Sequence, residues 1–222
     1  MRLEEKTHIF FDLDGTLTDP KEGITKSVQY ALRSFGIEVE NPDDLTCFIG
    51  PPLRRTFQDK FGLSQAEAET AVAKYRERFA DIGIFENALY PGLREGLRAL
   101  CERGKTLAVA TSKPWVYAER ILRHFEVDAC FAFVSGSELN GSREDKGEVI
   151  AYALSHFYRN DGLRGADAVV MVGDRLHDIA GARRNGVESI GVSFGYGGRR
   201  ELLEAGADWI VDTVPELFGL WA

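Results

Sequence analysis

Short apolar runs recur along the chain and, in its C-terminal part, are separated by segments of helical periodicity. The runs are rich in β-branched and aromatic residues, which is typical of strands that are buried on both faces of a sheet. Strands and helices that alternate in this way predict an α/β fold with a parallel sheet. The predicted strands span residues 8–13, 105–111, 130–134, 168–173, 188–193 and 208–211. The predicted helices span residues 92–103, 115–125, 145–158, 177–185 and 199–205.

The stretch between the first predicted strand and the second follows a different pattern. It contains no convincing strand over about ninety residues, and its apolar positions recur with the period of a helix. Five of these positions share one helical face: Ile24, Val28, Ala31, Leu32 and Phe35. Further helices are predicted near 53–61 and 64–81. We therefore expect an all-α insertion at residues 19–87, within a core domain formed by residues 1–18 and 88–222.

The composition is that of an ordinary globular protein and argues against several function classes. The 222 residues carry a net charge of −8, which does not suit a nucleic acid polymer, because such a partner requires a basic face. No apolar run approaches the ~20 residues of a membrane span. The charged N-terminal segment is unlike a secretory signal. We expect a cytoplasmic protein that acts away from membranes, as a monomer or a homodimer.

The three cysteines do not indicate a disulfide framework or a zinc site. Cys47, Cys101 and Cys130 are far apart in the sequence and form no Cys-x-x-Cys motif. Because such cysteines are typical of a reducing compartment, we expect all three to be reduced and buried.

Two pairs of carboxylates follow predicted strands. Asp12 and Asp14 end the first strand and face the same way if the chain stays extended. Asp174 follows the strand at 168–173, and Asp178 lies one helical turn further on. Either pair alone is compatible with turn or helix capping. Ligands bind at the carboxyl ends of parallel strands, so the two pairs together favour a hard, oxygen-bound cation, most simply Mg²⁺.

Two shorter motifs lie between these pairs. Thr111 and Ser112 end the second predicted strand, and Lys113-Pro114 is expected to open a helix, where hydroxyls and free N–H groups suit a phosphate. Lys146 begins another predicted helix, where a cation is unfavourable for the helix dipole. In isolation this lysine is better explained as a solvated surface residue. The Gly-rich residues 194–198 lack a dinucleotide-binding context and are interpreted as a flexible connection.

The four motifs DLDGT, VATSKP, DKGEVI and GDRLHD, in this order, resemble those of the haloacid dehalogenase superfamily. The resemblance covers essentially the whole chain. It implies a Rossmann-like parallel-sheet core with an inserted small all-α helical-bundle cap, as in subfamily I. The segment IGPPL at 49–53 resembles a branch of phosphoglycolate phosphatases and 5′-nucleotidases. Ser112 replaces the Asn of a typical phosphoglycolate phosphatase, and KGEV follows a different pattern around Lys146; both differences move the expectation towards nucleoside monophosphates.

The resemblance also implies catalytic roles. Asp12 would be the nucleophile that forms an aspartyl-phosphate, and Asp14 would be the general acid and then the general base. Thr111 would bind the transferring phosphoryl group, and Lys146 would hold its charge next to the nucleophile. These roles are chemically consistent, because a carboxylate is ionised at neutral pH and needs a cation, rather than a base, to attack a phosphate dianion.

The expected binding residues complete the set. The metal ligands implied by the resemblance are Asp12, Asp14 through its carbonyl oxygen, and Asp174. Asp178 would support the metal site, either as a direct ligand or through water or a neighbouring ligand. The residues expected to contact substrate are Gly15, Thr16, Ser112 and Lys113 in the core domain, and Gly50 and Arg54 in the insertion. A solvated position on the surface of the insertion explains Arg54 equally well.

The resulting expectation is a Mg²⁺-dependent phosphomonoester hydrolase that acts on a small phosphorylated metabolite. The superfamily's dehalogenases lack the second aspartate, so Asp14 argues against dehalogenation. A phosphomutase similar to β-phosphoglucomutase, and a non-catalytic protein that binds a phosphorylated ligand, remain alternatives. The completeness of the motif set argues against the second of these.

Overall fold

The computed structural model describes residues 2–221, and its chain separates into two compact units. The first, here called the core unit, contains the described residues up to Thr18 and from Leu89 onward. The second, here called the helical unit, is Asp19–Ala88. The expected end of the insertion at residue 87 therefore differs from the observed division by one residue.

Strands and helices alternate through the core unit in the order that the apolar pattern predicts. The described strands are His8–Phe11 (β1), Thr18–Asp19 (β2), Ala88–Leu89 (β3), Thr106–Pro114 (β4), Phe131–Ser137 (β5), Val169–Gly173 (β6), Glu188–Val192 (β7) and Trp209–Val211 (β8). The described α-helices are Lys21–Arg33 (α1), Leu53–Phe61 (α2), Gln65–Arg78 (α3), Leu93–Glu102 (α4), Trp115–His124 (α5), Lys146–Asn160 (α6), Leu176–Arg184 (α7), Gly198–Ala205 (α8) and Val214–Gly219 (α9). The predicted α/β fold class is confirmed.

The core unit is built around a parallel six-stranded sheet with the order β5-β4-β1-β6-β7-β8. The central strand β1 pairs with β4 and β6, so that Phe11 is level with Val109 on one side and Val172 on the other. All four residues of β1 are buried, as a continuous apolar run predicts for a strand covered on both faces. The carboxyl ends of three central strands therefore meet at one edge of the sheet.

One face of the sheet is covered by α6. The ring of Phe10 and the side chain of Met171 pack in one apolar cluster with α6 residues that include Ile150 and Phe157. Burial of this apolar surface is the main stabilising contribution to such a unit. The Asp145 side chain accepts a hydrogen bond from the backbone N–H three residues on, at 3.1 Å, and caps α6, which makes the next residue the first of the helix.

The helical unit is formed by α1, α2 and α3. The predicted apolar face of α1 is confirmed for four residues, which are buried: Ile24, Val28, Ala31 and Leu32. Phe35 lies beyond the end of α1 and is partly exposed. A Cβ at Gly23 would lie 1.9 Å from the carbonyl oxygen of Gly83, so α1 and the turn that follows α3 meet backbone to backbone.

Some predicted boundaries in this region are wrong. The helix predicted near 64–81 begins at Gln65, because Ser64 caps it, and its α-helical part ends at Arg78 before a π-helical turn at Phe79–Gly83. The stretch expected to lack strands contains β2 and β3, which pair with each other. Each has only two residues, which is too short to produce an alternating pattern.

The cysteines also differ from expectation. Cys47, Cys101 and Cys130 are free, as predicted, but each is partly exposed rather than buried. Among the described residues, no helix combines the length and the apolar content needed to cross a lipid bilayer.

Candidate active site

Three acidic side chains converge where β1 and β6 end. The Asp12 N–H still donates to the carbonyl oxygen of Val172, at 2.9 Å, so this aspartate continues the line of β1 beside β6. Asp174 directly follows β6, and Asp178 lies in the first turn of α7. One carboxylate oxygen from each of the three aspartates lies within 4.8 Å of the others, and all three residues are buried. The structure thus brings together residues that are 166 positions apart in the sequence.

The Asp174 carboxylate is held in place by the chain around it. One oxygen accepts the N–H of Tyr196 at 2.7 Å, and the other accepts the hydroxyl of Thr16 at 3.4 Å. There is no room for a side chain on either neighbouring glycine, since a Cβ at Gly15 would lie 2.2 Å from Asp174 Oδ2 and one at Gly195 would lie 2.4 Å from Asp174 Cβ. Gly15 and Thr16, expected at the substrate, are thus placed against an expected metal ligand.

The loop after β7 was missed as a part of the site. Gly195 and Tyr196 belong to the stretch interpreted as a flexible connection, yet Tyr196 contributes a backbone donor to Asp174. Every residue except proline has a backbone N–H, so the sequence does not show which of them binds a carboxylate. The available signal was the run of glycines itself, because glycine in a loop often marks the close approach of another group.

Lys146 provides the positive charge of the site. Its ammonium lies 2.8 Å from Asp12 Oδ1, 2.8 Å from Asp178 Oδ1 and 3.0 Å from the carbonyl oxygen of Ala110. Burial lowers the pKa of this lysine, but the two carboxylates outweigh burial and hold the pKa above its ordinary value. Lys146 is therefore charged at neutral pH and is not the solvated surface residue that its position at a helix start also allowed.

The negative charge of the site exceeds what Lys146 can balance. Burial raises the pKa of Asp174 well above its ordinary value, and the neighbouring Asp178 and Asp12 carboxylates raise it further. Burial also raises the pKa of Asp178, against the opposing effect of Lys146. Three buried carboxylates next to one ammonium are costly unless a further cation is bound. The donor set, carboxylate oxygens close enough to share one ion, fits a hard divalent cation.

The carboxyl group of Asp14 does not join these three. Its Oδ2 lies 2.8 Å from the ammonium of Lys113, and both side chains are less than a tenth exposed. Its Oδ1 is buried and accepts no hydrogen bond from any described residue. Burial raises the pKa of Asp14, and the ammonium of Lys113 opposes this rise without cancelling it. Lys113, expected at the substrate, is therefore placed on the second aspartate of the first motif.

A bulge at the end of β4 presents this lysine. The pairing of β4 with β5 is regular up to Ala110 opposite Ser135, and the next pair is Pro114 opposite Ser137. The three residues at 111–113 thus lie opposite a single residue of β5, and bulges of this kind redirect side chains next to active sites. The predicted end of this strand at residue 111 is wrong, because the strand continues through Pro114. The helix predicted after it begins at Trp115, with Pro114 as its N-cap residue.

The backbone of the bulge is fixed at several points. The Lys113 N–H donates to Thr111 Oγ1 at 3.2 Å, and the Ser137 hydroxyl donates to the carbonyl oxygen of Ser112 at 2.8 Å. A Cβ at Gly136 would lie 2.6 Å from the carbonyl oxygen of Lys113, so only glycine fits opposite the bulge. Thr111 is buried and Ser112 is partly exposed.

The two expected substrate residues of the helical unit lie at the start of α2 and just before it. Gly50 adopts a left-handed conformation, with φ of 101°, ahead of the Pro-Pro pair. Arg54 forms an ion pair with Glu69 of α3. Their contact with a substrate stays a prediction.

The sequence was compared with protein families and with known proteins. Residues 9–192 match the family described as haloacid dehalogenase-like hydrolase. A 5′-nucleotidase of Pseudomonas aeruginosa is 50% identical over 195 residues, which are 88% of this chain and 86% of that protein. A phosphoglycolate phosphatase of Agrobacterium fabrum is 32% identical and is covered over 80% of its length, by 84% of this chain.

The chain is also similar to a protein with a different name and to a solved structure. The tyrosine-protein kinase PtkA of Mycobacterium tuberculosis is 38% identical over 213 residues, which are 94% of this chain and 70% of that protein. The crystal structure of a predicted phosphatase from Clostridium acetobutylicum superposes with a TM-score of 0.92 at 42% identity, over 96% of this chain and 97% of that one. The resemblance stated from the motifs is thus confirmed, and so is the fold that it implied.

Proposed function

The chain belongs to the haloacid dehalogenase-like hydrolases, and from this premise we propose that it hydrolyses phosphomonoesters through a covalent phosphoryl group on Asp12. The observation that carries the proposal is the position of the Asp12 carboxylate. It is buried, it lies against the ammonium of Lys146, and it shares a cluster with two further carboxylates. A nucleophile that must approach a phosphate dianion requires nearby cations; Lys146 supplies one, and a metal ion held by the three carboxylates would supply the other.

In the first step, a carboxylate oxygen of Asp12 forms a bond to phosphorus while the ester P–O bond breaks. Asp14 donates a proton to the leaving oxygen, so the product departs as an alcohol. In the second step, Asp14 takes a proton from water, the water oxygen bonds to phosphorus, and the acyl phosphate bond to Asp12 breaks. The products are an alcohol and inorganic phosphate, and both aspartates return to their starting states.

In this proposal Lys146 acts in both steps. Its contacts with Asp12 and Asp178 keep an ammonium where negative charge accumulates on the phosphoryl oxygens. Thr111, at the end of the same strand whose Ala110 carbonyl accepts from Lys146, offers a hydroxyl to those oxygens.

Asp12, Asp174 and Asp178 would hold the metal ion, and Mg²⁺ is the ion that we propose. Bound there, it would offset the charge of the carboxylates and of the phosphoryl oxygens. The second carboxylate of the first motif lies outside this set, because its Oδ2 contacts Lys113.

For the substrate, we propose a small phosphorylated metabolite, with nucleoside 5′-monophosphates ahead of phosphoglycolate. The 50% identity to a 5′-nucleotidase supports the first class, and the 32% identity to a phosphoglycolate phosphatase supports the second. The choice of leaving alcohol does not alter the roles of the aspartates.

The test is phosphate release from a panel of phosphomonoesters, measured with Mg²⁺ and again with EDTA. The panel contains nucleoside 5′-monophosphates, phosphoglycolate, sugar phosphates and p-nitrophenyl phosphate. We expect release that requires Mg²⁺ and is highest with a nucleotide. Asp12→Asn should lower release by at least about 10³-fold, because it removes the nucleophile.

The outcomes separate the alternatives. Substantial release by a folded Asp12→Asn variant would refute the nucleophile assignment. Absence of release from every panel member by the wild-type protein would contradict hydrolysis. In that case, transfer of the phosphoryl group to a second sugar phosphate or to a tyrosine peptide would be assayed, the latter because of the similarity to PtkA.

A further inference from the structure

Lys113 and Asp14 form a buried ion pair that the proposed mechanism does not yet use. Their charged atoms are 2.8 Å apart, and the exposed fractions of the two side chains are 7% and 8%. Burying two charges costs free energy that their attraction only partly returns. Because burial of this ion pair is unfavourable for stability, we looked for a role of the pair in the chemistry of the neighbouring nucleophile.

The two oxygens of the Asp14 carboxyl are in different situations. Oδ2 contacts an ammonium, which can donate hydrogen bonds but cannot accept one. A proton on Oδ2 would therefore face another donor. Oδ1 is buried and accepts no hydrogen bond from the described residues, so it is the oxygen left to exchange a proton with a reacting group.

The lysine itself is firmly placed. It sits in the bulge of β4, where its own N–H is bonded to Thr111 and where Ser137 of β5 holds the neighbouring carbonyl. The close packing of Gly136 against the Lys113 carbonyl prevents the bulge from flattening without a shift of β5. A side chain that starts from a fixed backbone position and ends in a buried contact can determine the orientation of its partner.

We propose that Lys113 is a positioning residue that holds Asp14 Oδ2 and so keeps Asp14 Oδ1 as the oxygen that gives its proton to the leaving group. This inference rests on the proposed function. In the first step the proton moves from Oδ1 to the ester oxygen as the P–O bond breaks. The ammonium of Lys113 keeps all its protons and gains or loses no bond.

Two other roles for Lys113 make different predictions. A lysine that binds the transferring phosphoryl group would matter equally for every substrate, because that group is common to all. A lysine that binds a carboxylate on the substrate would matter only for substrates such as phosphoglycolate. If the lysine acts through Asp14, its loss would lower kcat/KM most for the substrates whose leaving group most needs a proton.

The experiment therefore compares leaving groups. The kcat/KM of wild type and of Lys113→Met is measured with p-nitrophenyl phosphate, whose leaving group is stable as an anion, and with a sugar phosphate and a nucleoside 5′-monophosphate, whose leaving groups are alkoxides. The ratio kcat/KM reports the steps up to the first irreversible departure of the alcohol, which is where Asp14 acts as an acid. The Met side chain keeps the approximate length of lysine and removes only the ammonium.

We expect kcat/KM for the alkyl phosphates to fall about 10²-fold, the lower end of the range for general acid catalysis. For p-nitrophenyl phosphate we expect a fall of less than about 10-fold, because little proton transfer is needed. Lys113→Arg, which keeps a cationic donor, should recover part of the loss. Lys60→Met, the same change at an exposed lysine of α2, serves as the matched control and should alter neither value.

A double variant tests whether the lysine works through the aspartate. Asp14→Asn should show the same dependence on the leaving group, and adding Lys113→Met to it should cause little further loss, since residues that act as a unit are not additive. Equal loss with all substrates, loss confined to phosphoglycolate, or full additivity with Asp14→Asn would each overturn the proposal. Thermal unfolding of each variant identifies any that fail to fold; if Lys113→Met does, Lys113→Leu, which also removes the ammonium, takes its place.

The failure of this inference is distinguishable from the failure of the proposed function. If wild type releases phosphate and Asp12→Asn does not, the function stands whatever the leaving-group pattern of Lys113→Met. If wild type releases no phosphate at all, the function fails before Lys113 is examined, and the inference fails with it.

Discussion

The ion pairs of the core site and those of the helical unit differ in how much water reaches them. Lys146 and Asp12 are 5% and 4% exposed, whereas Arg55 and Asp59 of α2 are 80% and 69% exposed. Exposed pairs of this kind contribute about 0–1 kcal/mol to stability. Buried pairs often cost more than they return. The proposed function explains the difference: the buried charges of the core site would serve chemistry, whereas exposed pairs such as Arg55–Asp59 give solubility and modest local support.

The largest difference between the core site and the helical unit should be in the stabilisation by Mg²⁺, because only the core site contains the proposed metal ligands. We expect Mg²⁺ to raise the melting temperature of the wild-type protein, because an ion that binds only the native state at a hundredfold excess over its Kd adds about 2.7 kcal/mol. Asp174→Asn should remove most of this shift and most of the phosphate release. Without Mg²⁺ the variant should be at least as stable as wild type, since one of three repelling buried carboxylates is neutralised.

Asp44→Asn provides the matched control for that measurement, because Asp44 is an exposed carboxylate of the helical unit. It should leave the Mg²⁺-dependent shift unchanged. If wild type shows no shift with Mg²⁺, or if Asp174→Asn keeps the whole shift, the assignment of the metal site is wrong.

A pair of glycine substitutions should show a smaller difference between the regions. Gly15 has φ of 86°, and a Cβ there would lie 2.2 Å from an Asp174 oxygen; Gly36 of the helical unit has φ of 70° and no atom within 4 Å of a Cβ. Gly36→Ala should cost only the left-handed strain, about 1–2 kcal/mol. Gly15→Ala should cost about 3 kcal/mol or more, because the added methyl group also displaces Asp174.

Urea unfolding with and without Mg²⁺ measures both glycine variants. Gly15→Ala should also lose the stabilisation by Mg²⁺, whereas Gly36→Ala should keep it. Equal losses of unfolding free energy in the two variants would mean that the contact with Asp174 adds nothing to the strain of the turn.

The smallest expected change in unfolding free energy comes from a partly buried ion pair within the helical unit. Hydrogen bonds from Arg78 hold the pKa of Glu86 below its ordinary value, and Lys26 adds to the effect against the opposing influence of burial. A folded pKa below the unfolded value of about 4.3 means that the stabilisation is complete above that pH and is lost as the pH falls through the folded pKa. Glu86→Gln should therefore cost about 0.5–1 kcal/mol at pH 7, and less as the pH falls through the folded pKa of Glu86.

The control for this measurement is Glu38→Gln. Glu38 pairs with Arg33 in a contact whose side chains are 71% and 62% exposed, so its loss should change the unfolding free energy by less than about 0.5 kcal/mol both at pH 7 and below the folded pKa of Glu86. Urea unfolding at the two pH values measures the change in unfolding free energy of both variants. A Glu86→Gln effect that grows as the pH falls would have the wrong sign and would exclude the proposed coupling.

The predicted strands and helices succeed where one local pattern runs without interruption. The apolar run of β1 predicts a strand covered on both faces, and the helical pattern at 145–158 predicts α6; both elements are observed. The prediction fails where the chain departs from a pattern for tertiary reasons. The strand predicted at 105–111 ends too early, because a bulge follows Ala110 and β4 continues through Pro114. Bulges depend on the neighbouring strand, which a local pattern does not contain.

The prediction of the site residues succeeded and failed for the same reasons. The motifs predicted the aspartates and Lys146, because charged residues after apolar runs are conspicuous in a sequence. They did not predict the N–H of Tyr196 on Asp174, since every residue except proline carries such a group. The substrate contact expected of Lys113 stays a prediction, and the motifs gave no indication that the bulge brings its ammonium to Asp14.

By itself the sequence determined which chemical groups are available, and that they follow buried strands of a parallel sheet. Those properties depend on neighbours in the chain, which the apolar pattern records. Only the tertiary structure decided which group meets which. Lys146 meets Asp12 and Asp178, and Lys113 meets Asp14, because strand register and one bulge bring these distant residues within hydrogen-bonding distance. Contacts between residues so far apart depend on the packing of the whole sheet, and no local pattern specifies them.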